Sequence, residues 1–232
     1  MSAGAFSSLT SFQQRVISSC VIVPVFLLCI YFGGFLYFLL MGFILAASYN
    51  EWLQMAEKSK SQNKLIMIGS VYLALGLGAF FVLRLLPIEQ VMFITLALMG
   101  MIWACDTGAY FSGKLIGGKK LCPTISPGKT WAGLIGGLAA SGLVAVLFHY
   151  YWGFYGSTAI AFILGMVIGG AGQIGDLMIS FFKRKVGVKD TGTLIPGHGG
   201  VLDRVDSLLL AAPVYLVFLY FITDVSTITV IK

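Results

Sequence analysis

Charge is scarce in this chain. Only 10% of its 232 residues are Asp, Glu, Lys or Arg, against about 25% in an ordinary soluble domain, too few to build a surface that faces water. Alternating apolar and polar residues, the mark of a membrane β-barrel, are missing as well, because the apolar stretches run continuously. The four cysteines, Cys20, Cys29, Cys105 and Cys122, form no CxxC pair, which excludes a zinc or disulfide framework. A soluble basic face is absent, so nucleic-acid binding is excluded. No small-residue cleavage site follows the apolar run after Arg15, and that run reads as a retained first helix rather than a leader.

What remains is oil, sorted by sharp boundaries. The chain is 58% hydrophobic with a mean hydropathy of +0.94. This predicts an all-α polytopic transmembrane bundle whose helices need about 20 apolar residues each. The runs predict seven helices, over residues 16–32, 35–55, 65–86, 91–106, 131–149, 157–182 and 203–223, with Pro24 kinking the first. The whole of 1–232 forms one membrane domain, with outer helices over about 1–90 and a catalytic half over about 91–232. The second helix ends in a polar patch of Asn50, Glu51 and Gln54.

Seven spans put the N-terminus and the loops after helices two, four and six on one side. Thirteen of the fifteen Lys and Arg fall there, leaving Arg84 and Lys232 opposite. By the positive-inside rule that side is cytoplasmic. Gly133 with Gly137 and Gly165 with Gly169 form GxxxG pairs on the fifth and sixth helices, compatible with packing inside one chain or with a homodimer.

The polar residues gather in two places. Residues 180–207 hold five Lys or Arg, three Asp and five Gly. Just upstream, Asp176 interrupts an apolar helix, where a carboxylate is costly unless paired or wetted. An intramembrane salt bridge to a neighbouring loop would satisfy it; so would a cation. Asp176, Ser180 and Lys183 share a helix face, as do Asp203, Asp206 and Ser207. The connecting loop brings these helix ends together, so Asp176 is expected to meet Asp203, with Asp206 one turn deeper. Such hard oxygen ligands suit Mg²⁺, with a second cation compatible, although Asp203 and Asp206 would serve equally as helix caps. Around them, Lys183, Arg184, Lys189, His198 and Arg204 with Gly199 and Gly200 suit phosphate, since glycine lets the backbone approach an anion closely. The second cluster is an expected loop, 107–130, entered by Asp106 and left through Ser126, Lys129 and Thr130 at a helix N-terminus that favours phosphate.

These motifs carry a resemblance. The run GDLMISFFKRKVGVKDTGTLIPGHGGVLDRVDS, residues 175–207, is similar to the hallmark of phosphatidate cytidylyltransferases, the CDP-diacylglycerol synthases. DTGAYFSGKLIGGKK and SPGKTWAG resemble that family's other conserved loop, with Ala132 standing where members often carry Glu. The resemblance implies an enzyme of the inner, cytoplasmic membrane that converts CTP and phosphatidic acid into CDP-diacylglycerol and pyrophosphate on its cytoplasmic side. It implies Mg²⁺ on Asp176 and Asp203, with Asp206 for a second cation. Lys183, Arg184, Lys189, His198 and Arg204 would hold the triphosphate or the leaving pyrophosphate. Lys129, Ser126 and Thr130 would contact the lipid headgroup or the nucleotide. A transporter would instead set its charges at mid-membrane within an inverted repeat, and a CTP-using prenol kinase would need a base for its alcohol.

Overall fold

The computed structural model describes residues 10–222. The expectations for Lys232 and the C-terminus lie outside the described residues. Seven helices form among the described residues: α1 Ser11–Phe32, α2 Gly34–Glu57, α3 Gln62–Leu85, α4 Val91–Leu115, α5 Trp131–Trp152, α6 Thr158–Lys185 and α7 Leu202–Ile222. Each is long and apolar enough to cross a bilayer. This is the expected all-α polytopic bundle. Backbone hydrogen bonds satisfied within each helix are what permit an apolar chain to sit in lipid.

Two departures from the expected elements matter for the site. Helix α4 does not stop at Asp106 but runs on to Leu115, so Asp106, Tyr110 and Lys114 lie on a helix and not in a loop. Gly108 and Gly113 explain the continuation: a Cβ on Gly108 would stand 2.7 Å from the Ala140 Cβ, and one on Gly113 3.0 Å from the Thr130 Oγ1. The polar end of α4 is thus helical because it lies directly against α5. Beyond it the chain makes an antiparallel hairpin, β1 Lys120–Cys122 with β2 Ser126–Thr130, pairing Lys120 with Thr130 and Cys122 with Ser126. Thr130 then caps α5 by accepting from Gly133 N–H at 3.0 Å.

The small residues of α5 and α6 are spent inside the chain. A Cβ on Gly137 would come 2.7 Å from the Cys105 carbonyl of α4, and one on Gly165 2.5 Å from the Ser141 carbonyl of α5. Ser141 Oγ donates to the Gly165 carbonyl at 2.6 Å. The GxxxG surfaces therefore seat α4 on α5 and α5 on α6, and neither is left to a homodimer. On the other flank, Gly76 of α3 gives passage to α7, where its Cβ would stand 2.5 Å from the Leu209 carbonyl.

Helices α1 and α2 are joined through Gly33 alone, whose φ of 62° favours glycine. Arg84, at the end of α3, donates from Nε to the Ile30 carbonyl at 2.9 Å, closing the end of α1. At the opposite end of the bundle, Arg15 of α1 donates from Nε to the Gly197 carbonyl at 2.9 Å. Arg184 donates from Nε to the Ile125 carbonyl of the hairpin at 3.2 Å. The N-terminal end of α1, the hairpin and the 186–201 loop thus share one end of the molecule, as the seven-span count requires.

Candidate active site

At that end two helix faces converge. Gly175 of α6 has no side chain, and a Cβ there would stand 2.6 Å from the Asp206 carbonyl. This close passage of α6 over α7 brings the carboxyls of Asp176 and Asp206 together. Asp203 is not the partner. It sits in the first turn of α7, turned toward the loop: Oδ1 accepts from Lys183 Nζ at 2.7 Å, and Oδ2 accepts Thr191 N–H at 2.9 Å and Gly200 N–H at 3.0 Å. The expected Asp176 and Asp203 pair is corrected to Asp176 and Asp206. Helical period places Asp203 and Asp206 on one face, but the rotation of α7 against α6 decides which of them meets Asp176.

Asp176 realises the salt bridge that its membrane position demanded. Lys129 Nζ lies 2.6 Å from Asp176 Oδ2, and Ser180 Oγ donates to Oδ1 at 3.3 Å. Lys129 also donates to Gln173 Oε1 at 2.7 Å, and Gln173 Nε2 donates to Asp106 Oδ1 at 2.9 Å. A relay therefore runs from β2 across α6 to α4, through Lys129, Gln173 and Asp106. Gln173 shares the helix face of Asp176, and as a neutral amide it gave no charge signal of its own role.

The other expected residues divide. Lys183 is buried and committed to Asp203, so it is part of the loop's anchorage. Ser180 is buried beside Asp176, and Gly199 has a φ of 82°. Ser126 is taken up in the hairpin and Thr130 in its cap. Arg184 ties Ile125 to the loop, also donating to the Val188 carbonyl at 3.2 Å, while Lys189 is exposed. His198 stands 3.3 Å from Ser19 Oγ through Nε2. Burial, with the charges of Arg204 and Arg15, holds its imidazole below the usual range, so the neutral ring predominates near neutral pH.

One buried carboxylate was passed over by the sequence reading. Glu51 of α2 is 4% exposed. It accepts Val201 N–H and Leu202 N–H, each at 2.9 Å, and Thr191 Oγ1–H at 2.8 Å. Together Glu51 and Asp203 clamp both ends of the 191–200 segment. Its tip is held by α1, where Ser18 Oγ donates to the Pro196 carbonyl at 2.9 Å beside the Arg15 contact. The only forewarning was a Glu in a polar patch that reads as solvated.

Two cavities flank this centre and share Asp106 in their walls. One, of about 380 Å³, lies between α4, the hairpin and α5, with Lys114, Lys129, Thr130 and Gln173 on its walls. The other, of about 610 Å³, is apolar along α1, α2 and α4, and polar at the end where His198, Arg204 and Asp206 stand. Arg204 is exposed there and acts electrostatically on Asp106.

Does this donor set suit a divalent cation? Among the described residues no group of three or more His, Cys, Asp or Glu side chains is gathered. Two facing carboxyls are present, however, and Mg²⁺ commonly takes one or two carboxylates, keeping waters and substrate phosphates for its other positions. Asp176 and Asp206 fit that pattern. Asp203 stands apart from that pair, facing the loop, where it is bound to Lys183 and to the Thr191 and Gly200 N–H groups.

Comparison with known proteins identifies the family. The model of the Cytidylyltransferase family matches residues 13–87 and 71–222. A phosphatidate cytidylyltransferase of Rickettsia bellii is 36% identical over 206 residues, covering 86% of this chain and 87% of the relative. That of Rickettsia typhi is 37% identical over 207 residues, covering 87% and 89%. One from Haemophilus influenzae is 44% identical over 138 residues, covering 56% of this chain and 47% of its own length. Matched nearly end to end by a family model and by relatives of similar length, this chain belongs to the phosphatidate cytidylyltransferase, or CDP-diacylglycerol synthase, family.

Proposed function

We propose that the two cavities divide the substrates of a phosphatidate cytidylyltransferase between them, CTP in the one walled by the hairpin and phosphatidic acid in the one that is apolar. The protein is a multi-pass enzyme of the inner membrane that joins CTP and phosphatidic acid to give CDP-diacylglycerol and pyrophosphate. The observation that carries the division is the placement of Asp106, in the walls of both cavities and linked through Gln173 to the Lys129 and Asp176 pair. With the N-terminal end of α1 and the 186–201 loop on the cytoplasmic side, CTP arrives from water and the lipid from the bilayer.

A phosphate oxygen of phosphatidic acid attacks the α-phosphorus of CTP, forming a P–O bond. The bond from that phosphorus to the bridging oxygen breaks, and pyrophosphate leaves with the electron pair. Both reactants are anions, so lowering their mutual repulsion is the main task. A divalent cation such as Mg²⁺, held by Asp176 and Asp206, would supply charge neutralisation at the triphosphate. Lys129 stands beside the same phosphates, held in place by Asp176 and Gln173. Arg204 and His198, at the polar end of the apolar cavity, orient the lipid phosphate, while the apolar walls hold the acyl chains. The nucleophile is already ionised near neutral pH, and no base is required.

The test is conversion of radiolabelled CTP into lipid by the purified protein in detergent, with CTP labelled at the α-phosphorus and phosphatidic acid as acceptor in one arm, and CTP labelled at the γ-phosphorus and a polyprenol as acceptor in the other. Labelled CDP-diacylglycerol is expected with phosphatidic acid alone, and loss of more than 99% of it in Asp176→Asn and in Asp206→Asn. Near-normal turnover in either variant would remove the carboxyl pair from the mechanism, and labelling of the polyprenol would move the protein to lipid kinases.

A further inference from the structure

The carboxyl pair has a neighbour outside the motifs of residues 106–130 and 175–207. Helices α3 and α7 run in the same direction from the same end of the bundle, in contact where Gly76 meets Leu209. One turn back along each helix stand Tyr72 and Asp206. The register thus aims the Tyr72 ring at α7 at the level of Asp206, and the hydroxyl lies within electrostatic range of that carboxyl. Tyr72 Oη is buried and has no hydrogen-bond partner among the described residues. Leaving a buried hydroxyl unpaired is unfavourable, and folded proteins retain few such groups.

We propose that Tyr72 is a positioning residue for the cation site, its hydroxyl reaching Asp206 through a bridging water and fixing the orientation in which that carboxyl faces Asp176. This rests on the reading of the carboxyl pair given above. A group that orients a metal-binding carboxylate typically changes cation affinity or activity by 10–100-fold. Tyr72 comes from α3, in the half of the chain expected to be only outer scaffold, and its ring is held by packing with the hydroxyl as its one chemical handle.

Tyr72→Phe removes that handle and nothing else. Two readouts on the full-length protein in detergent test it: thermal unfolding over a range of Mg²⁺ concentrations, and turnover of labelled CTP with phosphatidic acid. The expected result is unchanged thermal stability without Mg²⁺, a rise of about tenfold in the Mg²⁺ concentration that gives half-maximal stabilisation, and a fall in kcat with KM for CTP retained. In an Asp206→Asn background the substitution should add no further shift in the Mg²⁺ midpoint. A Tyr72→Phe protein with wild-type midpoint and kcat overturns the inference, and so does one that loses stability without Mg²⁺, since the hydroxyl would then be a structural group. A wild-type protein with no turnover on phosphatidic acid would instead refute the functional reading beneath it.

Discussion

Glu51 is the group whose loss should be felt furthest from its own helix. Replacing it with Ala removes the acceptor for two backbone N–H groups at the start of α7 and for one hydroxyl. Thr191 can turn its hydroxyl elsewhere, but the N–H groups of Val201 and Leu202 cannot move without unwinding the helix. Each buried donor left unsatisfied costs about 1–3 kcal/mol, so the pair sums to about 2–6 kcal/mol. Water reaching this end of the bundle recovers part of it, which favours about 2–4 kcal/mol. For a chain of this size about 2 kcal/mol corresponds to roughly 4–8 °C in Tm. Glu51→Gln keeps the shape but sets an amide NH₂ against one of the donors, so about half the loss is expected. The assay is thermal unfolding in detergent beside limited trypsin cleavage at Lys185 and Lys189, with CTP turnover in parallel. Glu51→Ala should melt earlier, be cut faster in the loop, and lose more than tenfold in kcat because the first two turns of α7 carry Arg204 and Asp206. A variant with wild-type Tm, cleavage rate and turnover would refute the clamp.

Two further outcomes are expected. Gly165→Ala forces a Cβ to 2.5 Å from the Ser141 carbonyl and should destabilise by about 1–3 kcal/mol, whereas Gly170→Ala on the same helix meets only Leu138 Cδ2 at 3.6 Å and should be tolerated; equal melting of the two would show that the α5 and α6 contact is not close. His198 is held below its ordinary pKa of about 6.5 by burial and by Arg204 and Arg15. The unfolded chain therefore takes up the proton first: the stability is fully present above about pH 6.5 and is lost as pH falls from there through the lower folded value. Wild type should lose more Tm between pH 7.5 and 5.5 than His198→Asn, and parallel slopes would discount the residue.

How far the sequence reaches is set by what each signal encodes. Apolar runs encode spans, so seven helices were legible, and the sorting of Lys and Arg agrees with Arg15, Arg184 and the hairpin meeting at one end. Helix α4 was cut short because DTGAYFSGK is too polar to read as a span; its helical state comes from Gly108 and Gly113 lying against α5, a tertiary cause. The motif put Asp176, Asp203 and Asp206 within one stretch of sequence and led to the expectation that Asp176 meets Asp203. Which aspartate meets which depends on helix rotation, and that is decided by the absent side chain of Gly175. Glu51 was invisible for a related reason, since its partners lie up to 151 positions away.

The grip of α1 on the far loop has a consequence for synthesis. Arg15 and Gly197 are separated by 182 positions, and at 5–20 residues per second the ribosome needs on the order of ten to forty seconds to go from one to the other. The first helix must wait in the bilayer for that interval with its future contact unmade, and Glu51 waits almost as long. Until α7 is inserted, neither the clamp nor the carboxyl pair exists. A nascent chain stalled just before the final helix therefore has the outer spans in place and lacks both the Glu51 clamp and the carboxyl pair on which the proposed mechanism rests.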